Sequence, residues 1–321
     1  MTVNGGFDQR LEEEKMTAIG SVAIVGAGAM GASYAAMFTD AGGFDVCLVA
    51  REKRYERLRQ EGLNVNGRHY DVVVVHPDHA HPPADLVLVA LKHHHLAQAL
   101  PDIKALTGDD TTILSVMNGL ESEEIIGSVV GMEKLVYAVA VGMDAVREKG
   151  RVTYASPGRI IFGVTDPAGS RHIPRLSQAL GRAGIAHSVS EDIQSSLWWK
   201  FMVNVGINQA SAVLGAPYGA FQSSPDAREL MRMLMQEVID LAPKAGIALF
   251  QKDLEKWCDV LAQLAPDGKT SMLQDMEAGR KTEVEIFAGK VVALGRHYGV
   301  PTPVNATVQC IIKTLETRNR P

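Results

Sequence analysis

Two groups of residues could do chemistry. Gly26-Ala27-Gly28-Ala29-Met30-Gly31 has the glycine spacing that seats a pyrophosphate, and Lys200, Asn204 and Asn208 recur at four-residue intervals. In the first group, one glycine permits a tight turn, the next lets phosphate oxygens approach the backbone, and the third lets a helix pack on a strand. Unsatisfied N–H groups at the helix start would then face the anion. In the second group, a lysine can donate a proton while two amides orient a small polar molecule. The plainer readings are an ordinary glycine-rich turn and a surface coincidence of helical spacing.

The flanks decide for the glycine group. Ile19 to Val25 is an apolar, β-branched run, and a helical stretch through Ala36 and Phe38 stops at Gly42-Gly43. That is strand, turn, helix, the setting in which the motif binds dinucleotides. A second strand run, Asp45 to Ala50, is followed by Arg51, Lys53 and Arg54 rather than by the acidic residue that would hold the ribose 2′-hydroxyl of NAD. A cation there suits a 2′-phosphate, so NADP is expected, against the alternative of a solvated basic helix start. Lys92 closes a strand run and Asn118 follows another, and ligands of open α/β sheets bind beyond such strand ends.

In the second half, Ile193, Leu197, Phe201 and Val205 form an apolar stripe that should face a core. Lys200, Asn204 and Asn208 run beside it, spaced about 6 Å along the axis of a regular helix, where a cleft between domains would open. Farther on, Thr270-Ser271-Met272-Leu273-Gln274-Asp275 opens a helix that a straight continuation would carry to Glu283, about 18 Å from Ser271. Thr282 with Glu285 reads as a capping box and Gly279 weakens the helix before it, so a break is expected between Met276 and Thr282.

These residues need elements to hold them. Strand runs at 71–75, 85–91 and 111–116 are near-continuously apolar, as in a parallel sheet covered on both faces. Three further strand-like runs between Leu135 and Gly163, with Lys149-Gly150 as a turn between two of them, should extend the sheet with antiparallel strands. After about residue 190 helical periods take over, with Ser224-Pro225 as a start and Gly246 and Gly299 as stops. The expected organisation is a polar extension at 1–17, a Rossmann-type doubly wound α/β domain at 18–190, and an all-α domain carrying substrate and catalytic residues at 191–321.

Composition bounds the function. The 321 residues carry 32 Lys plus Arg against 37 Asp plus Glu, with 46% apolar and 21% charged residues, so neither nucleic acid nor global disorder is indicated. No eighteen-residue apolar run suggests a membrane span, and no leader is evident. Three scattered cysteines support neither a disulfide framework nor a thiol metal site and suit a cytoplasmic protein. His93-His94-His95, even with His76, His79 and His81, lacks ligand spacing, so no metal is expected. Met231, Met233 and Met235 read as core or interface, and Leu254, Trp257, Cys258 and Leu261 as core.

Taken in order, the glycine loop, Leu91-Lys92, Asn118-Gly119, Trp198-x-Lys200-x-x-x-Asn204-x-x-x-Asn208, Ser271-Met272-Leu273-Gln274-Asp275 and Thr282-Glu283 resemble the ketopantoate reductases, over about residues 19 to 315. The resemblance implies an all-α second domain of the 6-phosphogluconate dehydrogenase C-terminal-like kind and NADPH-dependent reduction of 2-dehydropantoate to pantoate, on the route to pantothenate and coenzyme A. It implies Lys200 as general acid, and Glu283 as a catalytic partner binding a substrate hydroxyl. Asn118, Asn204, Asn208 and Ser271 are implied as substrate ligands, with residues 26–31, Arg51, Lys92 and Asn118 at the cofactor. The implied partners are a small 2-keto acid and, for assembly, a second copy of the chain in a homodimer.

Two positions depart from that pattern: Tyr218 and Gly268 stand where described members have Asn. Paralogues acting on other 2-keto acids share the core motifs. The β-hydroxyacid dehydrogenases combine a nucleotide fold with a Lys-x-x-x-Asn helix but lack the Ser-Met-Leu-Gln-Asp and Thr-Glu segments. A nucleotide-sensing regulator would have no use for Lys200, Glu283 and Asn118 together.

Overall fold

Alternation along β1 (Ser21–Val25) divides the first core into two faces, because successive strand side chains point to opposite sides. Val22 and Ile24 pack with Tyr34 and Phe38, whereas Ala23 and Val25 pack with Ile103 and Ile113. The computed structural model describes residues 18–318, so the extension expected at 1–17 lies outside the described residues.

Six strands lie parallel in the order β5 (Val73–Val75), β2 (Asp45–Val49), β1, β6 (Leu86–Val89), β7 (Thr112–Ser115) and β8 (Leu135–Met143). The chain steps outward from β1 on one side and then returns to its other side, which is the doubly wound order. The strand order therefore reverses beside β1, where the glycine turn follows. β11 (Pro157–Gly163) pairs antiparallel with β8, and β12 (His187–Val189) extends the edge.

The sequence points to three strand runs between 135 and 163; the structure has four. β9 (Val146–Glu148) and β10 (Arg151–Thr153) form a hairpin over Lys149 and Gly150, whose φ values of 47° and 85° suit a two-residue turn matched to strand twist. This hairpin leaves the main sheet. β10 pairs instead with β3 (Leu63–Val65), itself joined to β4 (Arg68–Tyr70) over Asn66-Gly67, making a second, four-stranded sheet.

The described residues up to Met117, with Glu121–Ile193, group as one compact unit, and Asn118–Leu120 with the residues from Gln194 onward group as a second. The second unit is helical. Ile193, Leu197, Phe201 and Val205 are all buried, as their spacing requires. The regular helix expected there is interrupted, however: Ile193–Val203 passes into a π turn at Asn204–Asn208 before Gln209–Leu214 resumes α geometry. Ser224 caps Pro225–Leu241, its hydroxyl accepting from the Ala227 N–H, as the Ser-Pro pair suggests.

The break after Met276 is present, with local chemistry different from that expected. Ser271–Glu277 ends in Ala278 and Gly279, the glycine at φ +63°; the Arg280 N–H returns to the Asp275 carbonyl and the Gly279 N–H to that of Met276. These two bonds are the Schellman closure of a helix end. The Thr282–Glu285 capping box does not form. Thr282 donates through its backbone N–H and its hydroxyl to Glu316, while Glu285 pairs with Lys313. A second π turn, Glu285–Gly289, then leads into Lys290–Tyr298.

Candidate active site

In the first unit, three glycines are required for three different reasons. Gly26 has φ +108°, and a Cβ there would lie 2.5 Å from the Ala90 carbonyl oxygen. At Gly31 a Cβ would lie 1.9 Å from the Gly26 oxygen, so the helix Ala29–Ala41 can rest on the turn only without a side chain. Gly28 is different: a Cβ there would have nothing nearer than the Ala90 oxygen at 4.0 Å. Open space above the middle glycine and contact beneath its neighbours is the relief a pyrophosphate needs. The residues present therefore fit a dinucleotide.

Cations surround this turn. Arg147, from β9, donates to the Ala27 carbonyl, and burial together with the charges of Arg57 and Arg54 pushes its pKa down. Burial, Arg54 and Lys92 likewise lower the pKa of His95, which ends the short 3-10 turn following Lys92. Cations that depress one another's pKa beside a glycine turn, with Glu61 opposing the shift of Arg147 only in part, make a setting in which an anionic ligand is favoured. Arg51, which follows β2, is held by carboxylates: its Nε lies 2.9 Å from Asp102 Oδ1 and its Nη1 2.8 Å from Asp78 Oδ2. Its side chain remains 40% exposed. Sequence reading missed Arg147, because only the pairing of β9 with β10 and β10 with β3 carries it to the turn.

In the second unit the polar residues converge. Asn204 Nδ2 donates to Asn118 Oδ1 at 3.3 Å, and Asn118 Nδ2 donates to Glu283 Oε2 at 3.1 Å. Residues from three distant stretches thus form one chain of hydrogen bonds, and the helix break is what allows Glu283 to join it. Asn208 is buried, with no side-chain partner among the described residues. Ser271 is tied to this group through the backbone. Ser211 donates to the Asn208 carbonyl and shares a hydrogen bond with Thr270, which caps the helix beginning at Ser271.

Lys200 lies one turn before Asn204. Burial pushes its ammonium down to about 8, and no hydrogen bond or ion pair holds it among the described residues, Glu283 included. An α-helix drifts about 40° over each four-residue step. The wider π turn offsets that drift between Asn204 and Asn208, so the departure from regular helix keeps the three polar residues closer to one face.

Tyr218 and Gly268 form one packing unit. The Tyr218 N–H donates to the Gly268 carbonyl at 3.0 Å, and a Cβ at 268 would lie 2.8 Å from Tyr218 Cδ2. Gly268→Asn alone should therefore destabilise the fold by about 1–3 kcal/mol through overpacking. The double variant with Tyr218→Asn should regain most of that loss. Equilibrium unfolding of the two single variants and the double variant measures the coupling; additive effects would contradict the contact.

A doubly wound nucleotide-binding unit and a helical unit with a lysine, asparagine and glutamate cluster define a class of dinucleotide-dependent oxidoreductases. Residues 22–167 match the family profile described as ketopantoate reductase PanE/ApbA, and residues 192–316 match its C-terminal counterpart. The chain belongs to the ketopantoate reductase family and is an oxidoreductase acting on CH–OH groups. It is 28% identical to the 2-dehydropantoate 2-reductase of Archaeoglobus fulgidus, across 92% of this chain and 98% of that one. The corresponding figures for the Aquifex aeolicus 2-dehydropantoate 2-reductase are 28%, 92% and 97%. The solved 2-dehydropantoate 2-reductase of Geobacter metallireducens superposes with a TM-score of 0.83 at 28% identity, covering 92% of this chain and 99% of its own. A D-mandelate dehydrogenase solved with NADH and anilino(oxo)acetate shares the fold, with a TM-score of 0.86 at 24% identity over 93% of this chain and 99% of that one.

Proposed function

We propose that the chain is an NADPH-dependent 2-dehydropantoate 2-reductase, reducing ketopantoate to pantoate on the cytoplasmic route to pantothenate and coenzyme A. The observation that carries this reading is the hydrogen-bonded chain Asn204–Asn118–Glu283, with Lys200, which has no ion-pair partner among the described residues, one helical turn from Asn204. Residues 26–31, Lys92 and Asn118 would hold the cofactor, and Arg51 would meet its 2′-phosphate with Asp102 fixing the guanidinium. When bound, the nicotinamide supplies the hydride that reduces the keto carbon.

The protein's own task is the proton and the orientation. As negative charge grows on the keto oxygen, Lys200 Nζ gives it a proton and becomes a neutral amine. Glu283 accepts a hydrogen bond from the substrate hydroxyl, while Asn118 holds its other side in place. Asn204, Asn208 and Ser271 are neutral, so they orient the substrate without competing for the proton.

A panel of branched 2-keto acids with NADPH and NADH tests the proposal. Ketopantoate should be reduced fastest, with kcat/KM for NADPH at least about tenfold above that for NADH; Arg51→Ala should erase most of this preference, the worth of a charged hydrogen bond. Equal rates with both cofactors in the unsubstituted protein would overturn the NADP reading. The Tyr218 ring against Gly268, where an amide is usual, favours one second reading: reduction of a different 2-keto acid. A less polar keto acid outpacing ketopantoate would establish it.

A further inference from the structure

Both π turns leave backbone groups without their α-helical partners, and one buried side chain takes up both. In the first, the Gln209 N–H donates to the Gly206 carbonyl, so it no longer serves Val205 as it would in an α-helix. The Val205 carbonyl accepts instead from Gln209 Nε2 at 2.7 Å. In the second, the Gly289 N–H occupies the Val284 carbonyl at 3.0 Å, displacing the Ala288 N–H that an α-helix would place there. The Ala288 N–H donates to Gln209 Oε1 at 2.9 Å. The amide's donor and acceptor ends thus match one orphan carbonyl and one orphan N–H.

The remaining donor of Gln209 is also used. Nε2 reaches Asn305 Oδ1 at 3.0 Å, and Asn305 Nδ2 donates to Glu237 Oε2 at 2.7 Å. Glu237 in turn accepts the Val304 and Asn305 N–H groups at the start of the Pro303–Arg318 helix. Gln209 and Asn305 are fully buried, so the bonds that Gln209 makes lie away from water, where an unmet group is costly. A polar side chain so completely satisfied specifies one arrangement of the turns.

We infer that Gln209 is a positioning residue: it clips the Asn204–Asn208 turn to the Glu285–Gly289 turn and so sets the register in which Asn204 and Glu283 meet Asn118. This rests on the reductase reading above. Asn204 opens the first clipped turn, and Glu283 lies two residues before the second. Without the clip, either turn can relax into α geometry, and losing one inserted residue rotates what precedes it by about 100° about the helix axis. Lys200, Asn204 and Glu283 would then lose their common register.

Gln209→Met keeps the length of the side chain and removes its polarity, while Gln209→Glu keeps the acceptor for Ala288 and removes the donor to Val205. Both should lower kcat for keto-acid reduction by at least about tenfold, as misplaced reacting groups do. Binding of NADPH, read by its fluorescence, should stay within about twofold, because the glycine turn belongs to the other unit. Amide exchange in 284–290 should quicken in Gln209→Met and less so in Gln209→Glu. A folded Gln209→Met protein with unchanged kcat would overturn the inference, as would lowered melting temperature with unchanged kcat in either variant. Should the unsubstituted protein fail to reduce any 2-keto acid, the functional reading fails by itself. The clip is then judged from exchange alone: quickened in Gln209→Met, it stands; unchanged, it falls.

Discussion

Lys200→Met should lower kcat for reduction by about 10²- to 10⁴-fold, the range expected on removing a positioned general acid, and should at the same time make the protein more stable at pH 7. Both effects have one cause. The folded-state value of about 8 lies below the ordinary 10.5 because burial penalises the ammonium and no carboxylate among the described residues compensates. At pH 7 about ten lysines are protonated for each neutral one, so the proton donor is ready. The same displacement opposes folding: if wholly expressed it would amount to ~3 kcal/mol, and partial exposure of the side chain reduces this to roughly 2 kcal/mol.

The sign follows from linkage. The unfolded chain holds its proton more tightly than the folded one, so the penalty is complete below about pH 8 and fades as pH rises towards 10.5. Calorimetry should show the Met variant melting higher at pH 7, with the gap narrowing by pH 10. In the unsubstituted protein, kcat for reduction should fall above a midpoint near pH 8, as the lysine loses its proton, and the residual activity of the Met variant should lack that limb. A Met variant that keeps kcat within twofold would end the role given to Lys200.

Gly31→Ala and Gly28→Ala should separate stability from cofactor binding. At Gly31 the added carbon would meet the Gly26 oxygen of the same turn at 1.9 Å and, at 3.3 Å, the Cβ of Ala90 just after β6. Relief requires moving the backbone, so a loss of about 3 kcal/mol in unfolding free energy is expected, with NADPH affinity falling at least about tenfold because the turn itself shifts. At Gly28 the nearest atom is 4.0 Å away, so the protein should keep its stability within about 0.5 kcal/mol while losing cofactor affinity, the methyl group filling space the pyrophosphate needs. Fluorescence titration and chemical unfolding measure the pair. Equal destabilisation by both substitutions would show that Gly28 serves the fold and not a ligand.

Much of the molecule is written locally. The glycine turn, the helix after it, the strands around β1, the Ser224-Pro225 helix start and the stop at Gly279 all follow from steric limits that act within a few residues. The candidate ligands could be named for the same reason, since a Lys-x-x-x-Asn-x-x-x-Asn spacing is visible without a fold. Their arrangement could not. Neither π turn has a signal along the chain, because each depends on orphan backbone groups finding Gln209, and Thr282 is anchored by Glu316 rather than by the nearby Glu285.

Charge placement divides in the same way. The cation after β2 is plain in the sequence, yet its partners are brought by distant elements, Asp78 by a turn and Asp102 by the helix Leu96–Ala105, and Arg147 reaches the glycine turn only through a hairpin that left the main sheet. Asn118 and Glu283 are 165 positions apart and still share a hydrogen bond. Spacing along the chain determined which elements form and which side chains are fit for proton transfer and phosphate binding, because torsional and steric preferences are short-ranged. Tertiary packing alone decided which polar groups meet, because a buried hydrogen-bonding group is satisfied only by whatever partner the fold brings within reach, however far away in the chain.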